Sequence, residues 1–131
     1  MKHAPTIAGA LLGIPFIAFG LMFFLKVMPD GPKPAPEALA FMGAIGPTGY
    51  LAFVKAMEIL GGLLVAVPKT RNLGLLILGP IIINILCYHV FLNQGATLVD
   101  PVLIAISVLA VFLLWTERRA FAGLIHRNTS N

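Results

Sequence analysis

The sequence predicts an all-α fold, an integral membrane four-helix bundle with a proline-rich outer loop and a short interfacial helix between helices 1 and 2. Three observations predict it. Of the 131 residues, 59% are hydrophobic and only 11% are charged, against about 25% charged residues in soluble domains. Four segments reach or approach the roughly 20 apolar residues that cross a bilayer. With one exception, the stretches between them are short and polar. A chain of this length makes one domain, residues 1–131.

The first span is expected over Ile7 to Val27, with Lys26 at its end able to snorkel to the interface. The apolar run Thr6 to Leu25 is 20 residues, longer than the roughly 7–15 of a signal-peptide core, and no A-x-A site follows. It therefore reads as a retained transmembrane helix. The second span is Tyr50 to Val67 and the third Leu73 to Leu92, joined by PKTRN, residues 68–72. NQGAT, residues 93–97, leads to the fourth, about Leu98 to Thr116. Between Asp100 and Glu117 lie 16 uncharged residues, so the fourth is the short one. Asp100 followed by Pro101 reads as an N-cap with proline at the first helical position, and Trp115 stands where an interfacial aromatic belongs.

The long connection is residues 28–49. Pro29, Pro32, Pro34 and Pro36 make its start extended. EALAFMGAI, residues 37–45, then reads as a helix too short to span, lying on the surface or re-entering the bilayer. The tail ERRAFAGLIHR reads as a basic amphipathic helix on the inner leaflet. With four spans, Lys2, Lys69, Arg71, Arg118, Arg119 and Arg127 share one side, while Lys26 and Lys33 lie on the other. Six against two places both termini in the cytoplasm.

Composition also excludes classes. The net charge of +4 comes from scattered residues with no basic stripe, which argues against nucleic acid as a partner. The single cysteine, Cys87, rules out an internal disulfide and a CxxC pair. There is no nucleotide loop, metal-ligand spacing or nucleophile triad. His3 and His126 lie at the termini, on the far side from His89, so no facing pair could hold a transmembrane haem. Ser107 is expected to bond to its own helix backbone. Pro15 and Pro80 read as packing kinks. Gly9 and Gly13 form a GxxxG, and Gly61 and Gly62 follow Glu58. Small residues of this kind let helices in lipid approach closely, within the chain or in a homo-oligomer.

The chemistry concentrates in five side chains. Lys55 and Glu58 are three apart and share a helix face. Lys55, about 8 Å from the outer end of its helix, can snorkel, whereas Glu58 is about 12 Å deep with a short stem. Matching depths on an antiparallel third helix sets Asn84 at the level of Glu58 and His89 near Lys55, with Tyr88 one turn from Asn84. Asn84 and His89 point about 140° apart at 100° per residue. Two readings stand side by side. The set is an ion pair that fixes helix register, or it is a ligand or proton site, as ionisable groups in spans tend to be. A quinone headgroup is a ligand that His89, Tyr88 or Asn84 could meet with hydrogen bonds.

FVKAMEILGGLLVAVPKTRNLGLLILGPIIINILCYHVFL and the proline-rich loop before it resemble the DoxX-like family of small bacterial membrane proteins. The match carries Glu58, Gly61, Gly62, Lys69, Arg71, Asn84, His89 and Phe91. It departs at Val90, which stands between His89 and Phe91 where the family has a direct His-Phe pair. The resemblance implies a four-helix protein of the bacterial inner membrane, associated with quinone-linked redox systems. The expected role is an accessory or quinone-binding subunit beside a redox partner protein rather than a stand-alone enzyme. A proton-coupled small-solute transporter and a structural scaffold are the alternatives.

Overall fold

The computed structural model describes residues 2–28, 31, 33–94 and 100–126. Among these residues all regular structure is helical. The elements are α1 (Ala4–Leu25), α2 (Pro36–Ile45), α3 (Tyr50–Ala66), α4 (Arg71–Cys87), α5 (Pro101–Thr116) and α6 (Arg118–Ile125). A π-helical turn, Tyr88–Leu92, prolongs α4, and short 3-10 turns precede α3 and α4.

Two stretches, Ala4–Leu25 and Pro68–Leu92, are each long and apolar enough to cross a membrane. Two bent pairs, α2 with α3 and α5 with α6, bring the number to as many as four if each pair is one span. The bends are 88° and 73°. Thus α2 and α6 run across the long helices they adjoin, as interfacial segments do. At 1.5 Å per residue, α5 is about 24 Å long, short for a hydrocarbon core of about 30 Å.

Local chemistry explains the ends. α1 stops two residues before the expected Val27, because Lys26 turns left-handed (φ 59°). The amides of Lys26 and Val27 then donate back to the carbonyls of Phe23 and Met22, which satisfies carbonyls the helix would leave open. α2 opens on Pro36, and the amide of Ala35 before it donates to Asn93 Oδ1 at 2.8 Å. Gly49 between α2 and α3 has φ +81°, which a residue with a Cβ adopts only with strain. The hydroxyl of Thr70 donates to the Leu64 carbonyl at the end of α3. Asp100 caps α5 by accepting from the Val102 amide at 2.9 Å. Ser107 donates to the Leu103 carbonyl one turn back. Trp115 carries the guanidinium of Arg118 3.8 Å above its ring, fixing the corner between α5 and α6. The expected spans 50–67 and 73–92 correspond to α3 and to α4 with its π turn. Positions 98 and 99 of the fourth expected span, with Pro29, Pro32, residues 95–97 and Arg127, lie outside the described residues.

α1 packs on α3 and α5, and α4 packs on α3 and α5. Glycines set the spacing. A Cβ on Gly13 would strike the Gly62 carbonyl oxygen, and one on Gly62 would come within 2.8 Å of the Gly13 oxygen. Gly9 lies against the Val65 carbonyl, and Gly74 against the Val65 backbone and the Gly61 carbonyl. The GxxxG of α1 is therefore used on α3 of the same chain. These contacts also show that α1 and α4 both run antiparallel to α3. Leu12, Val65, Leu78 and Leu113 are fully buried at this end of the bundle. Outward-facing residues of the long helices are also apolar, Ile7, Phe53, Ile83 and Val111 among them, as lipid-facing helices are.

Candidate functional site

The half of the bundle away from the chain ends holds a cavity of about 660 Å³. All four long helices and α2 contribute to its wall. Lys55, Glu58, Asn84, Tyr88 and His89 all line it, within a surround that is otherwise largely apolar. That volume falls in the range of roughly 300–1,000 Å³ typical of small-molecule sites, which are mostly apolar with a few convergent polar groups.

Glu58 lies at the floor, 5% exposed, with Oε2 3.4 Å from Lys55 Nζ. Both come from α3 at an i, i+3 spacing, which puts them on one face. Phe16 of α1 and Ile106 of α5 close the floor beside them. Nearer the mouth, the rings of Tyr88 and His89 meet edge to face, 5.2 Å between centroids. Phe41 of α2 reaches Tyr88 at 6.2 Å.

The depth match differs by about one turn from the sequence expectation. Gly61 faces Leu78, and Gly74 faces Val65. Three residues on from the Gly61–Leu78 contact, in opposite directions, Glu58 comes level with Ile81. Three more bring Lys55 level with Asn84, and five further bring Tyr50 level with His89. The cause is the close backbone approach of the glycines, which fixes the register regardless of where the helices end. Asn84 is thus a wall residue near Lys55 rather than a partner at the level of Glu58.

A π turn begins at Tyr88, at the outer end of this set. Its backbone bond closes over five residues, from the Asn93 amide to the Tyr88 carbonyl at 2.9 Å. Tyr88 and His89 line the same cavity as Asn84 because α4 with its π turn is wedged between α3, α5 and α2, so more than one of its faces meets protein. Such π turns are rare and occur often at functional sites. Val90 lies within this turn.

Two further groups escaped sequence reasoning. Asp100 lines the cavity mouth, as His89 does, as well as capping α5. Its role as a cap concealed this second position. The other is at the opposite end of the bundle. Arg71, 7% exposed, reaches Glu117 at 3.6 Å and Thr6 Oγ1 at 3.4 Å, tying α4 to α1 and to the corner of α5. Gly9 makes room for this, since a Cβ there would lie 3.3 Å from Arg71 Nε. A signal was present. Glu117 is the one acid on the side where the sequence gathers six basic residues.

Among the described residues no group of three or more His, Cys, Asp or Glu side chains could hold a metal ion. Cys87 is a free thiol on the cavity wall.

No protein-family profile matches the chain, and no solved structure matches it. It is similar to an uncharacterized Bacillus subtilis (strain 168) protein, YwoB, with 33% identity over 78 residues. That stretch is 60% of this chain and 49% of the relative, so the chain spans about half the length of the curated relative it matches.

Proposed function

We propose that the protein is a four-span, DoxX-like protein of the bacterial inner membrane, with both termini cytoplasmic, whose outer-half cavity binds a quinone-like small molecule for a redox system. On this reading α1, α3, α4 with its π turn, and α5 are the spans. α2 lies at the outer interface and α6 at the inner one. The protein acts as an accessory or ligand-binding subunit beside a redox partner protein.

The observation that carries the reading is the cavity itself, a largely apolar space of about 660 Å³ with a buried carboxylate–ammonium pair at its floor and a Tyr–His pair near its mouth. An ion pair deep in a span is costly to maintain, and packing alone does not require the space around it. A ring with two carbonyl or hydroxyl oxygens and an apolar body matches this lining. Lys55, Tyr88 and the His89 ring can donate to its oxygens, and Phe16, Ile106 and Phe41 can hold its body.

The test is ligand-induced stabilisation. A ligand that binds only the folded protein raises stability by RT ln(1 + [L]/Kd), about 2.7 kcal/mol at a hundredfold excess over Kd. Short-chain ubiquinone and menaquinone analogues should raise the Tm of the detergent-solubilised protein and leave that of Glu58→Gln and His89→Ala nearly unmoved. If wild type and both variants shift equally, the cavity is not the binding site. If none shifts, the polar set serves packing.

A further inference from the structure

We infer that the cavity is a one-sided site, open to water only on the face opposite the chain ends, and that the other half of the bundle is a fixed seal rather than a closed gate. The inference rests on the four-span reading and adds the route by which the ligand arrives, namely from the aqueous phase facing α2. It also separates a receptor-like site from a transport pathway, which a buried carboxylate in a span would otherwise suggest.

The rim of the cavity is exposed and its floor is buried. Phe91 at the rim is 75% exposed, and Tyr50, Met28 and Phe41 beside it are also exposed. Eight residues down α3 from Tyr50, about 12 Å at 1.5 Å per residue, Glu58 is buried, with Phe16 2% exposed alongside. The opening therefore lies at the α2 end.

Below Glu58 the molecule changes character. Contacts there are backbone on backbone, between Gly13 and Gly62, Gly9 and Val65, and Gly74 and Val65. Leu12, Leu78 and Leu113 are wholly buried among them. Side-chain gates open by changing rotamers, but main-chain contacts part only if whole helices separate. Arg71 opposes that separation, because its guanidinium bridges Thr6 on α1 and Glu117 at the end of α5. The same bridge shows that both chain ends lie at the sealed end, so the opening can be defined against them.

Thiol labelling with a charged, membrane-impermeant maleimide tests this in sealed vesicles of both orientations. A C-terminal tag, scored by protease digestion, reports which face each preparation exposes. Resistance of the protein to carbonate extraction tests the membrane reading first and separately. Native Cys87 reports on the cavity. Leu51→Cys in a Cys87→Ser background is a second cavity reporter, and Val65→Cys in that background reports on the seal. The expected result is that both cavity thiols react only from the face opposite the tag, and that the Val65→Cys thiol reacts from neither face. The inference is overturned if a cavity thiol reacts from the tag face, if both cavity thiols resist the charged reagent on both faces, or if the Val65→Cys thiol reacts from either face.

Discussion

The two halves of the bundle use polar residues in opposite ways. At the end that carries the chain termini, helices meet through glycines. Among the described residues there, the ion pair of buried Arg71 with Glu117 joins residues 46 positions apart, on α4 and at the end of α5. At the α2 end, the pair Lys55–Glu58 joins two residues of a single helix turn and faces a cavity. A pair between helices constrains how they pack. A pair within one turn constrains almost nothing beyond that turn, so the helix needs no such pair to hold its place. The difference teaches that buried charge ties elements together at one end of this molecule and faces open space at the other, where the proposed function puts the ligand.

Stability measurements can break or sharpen that contrast. The largest effect is expected from Gly62→Val. Its Cβ would meet the Gly13 carbonyl oxygen at 2.8 Å, with Ile17 at 2.9 Å. Two rigid helices cannot yield as a side chain can, so the loss should be at the upper end of, or above, the roughly 1–3 kcal/mol of ordinary overpacking, read as a fall in Tm in detergent. Next comes Glu117→Gln, which strands a buried Arg71. Breaking a buried pair costs about 3–5 kcal/mol, and the part-exposure of Glu117 sets the expectation at the lower end.

Glu58→Gln should cost less, about 1.5–2 kcal/mol, the lower part of the range for a hydrogen bond to a charged group, because Lys55 can turn its ammonium towards the cavity mouth. It should also abolish ligand-induced stabilisation, which Glu117→Gln should leave intact. If Glu58→Gln proves the more damaging of the two to stability, the contrast fails. Asn93→Ala removes the acceptor for the Ala35 amide and should cost about 1 kcal/mol, with α2 loosened at its start. The smallest effect is expected from Gly79→Ala in α4. No atom lies within 4 Å of the added Cβ, so the higher helix propensity of alanine should leave stability unchanged or raise it by up to about 1 kcal/mol.

The apolar segments were legible because the bilayer demands them. Helices apolar on every side are at home in lipid, and the cap at Asp100 marks a start that the structure keeps, whereas Pro36, expected in the extended part of the loop, is the first residue of α2. The polar set was legible as residues but not as a geometry. Depth counted from helix ends placed Asn84 one turn too deep, since register follows the approach of Gly61 and Gly74 to the opposite backbone. The π turn at Tyr88–Leu92 has no signature in the local sequence. The Arg71–Glu117 pair was hidden by treating every basic residue at that end as a topology signal.

The most direct test of the central claim, that the α2 end of the bundle is a small-molecule site, is native mass spectrometry of the protein extracted in mild detergent. The account predicts one quinone-like molecule per chain, retained by Glu117→Gln and lost from both Glu58→Gln and His89→Ala. Protein that carries only phospholipid, with wild type and all three variants indistinguishable, would contradict it.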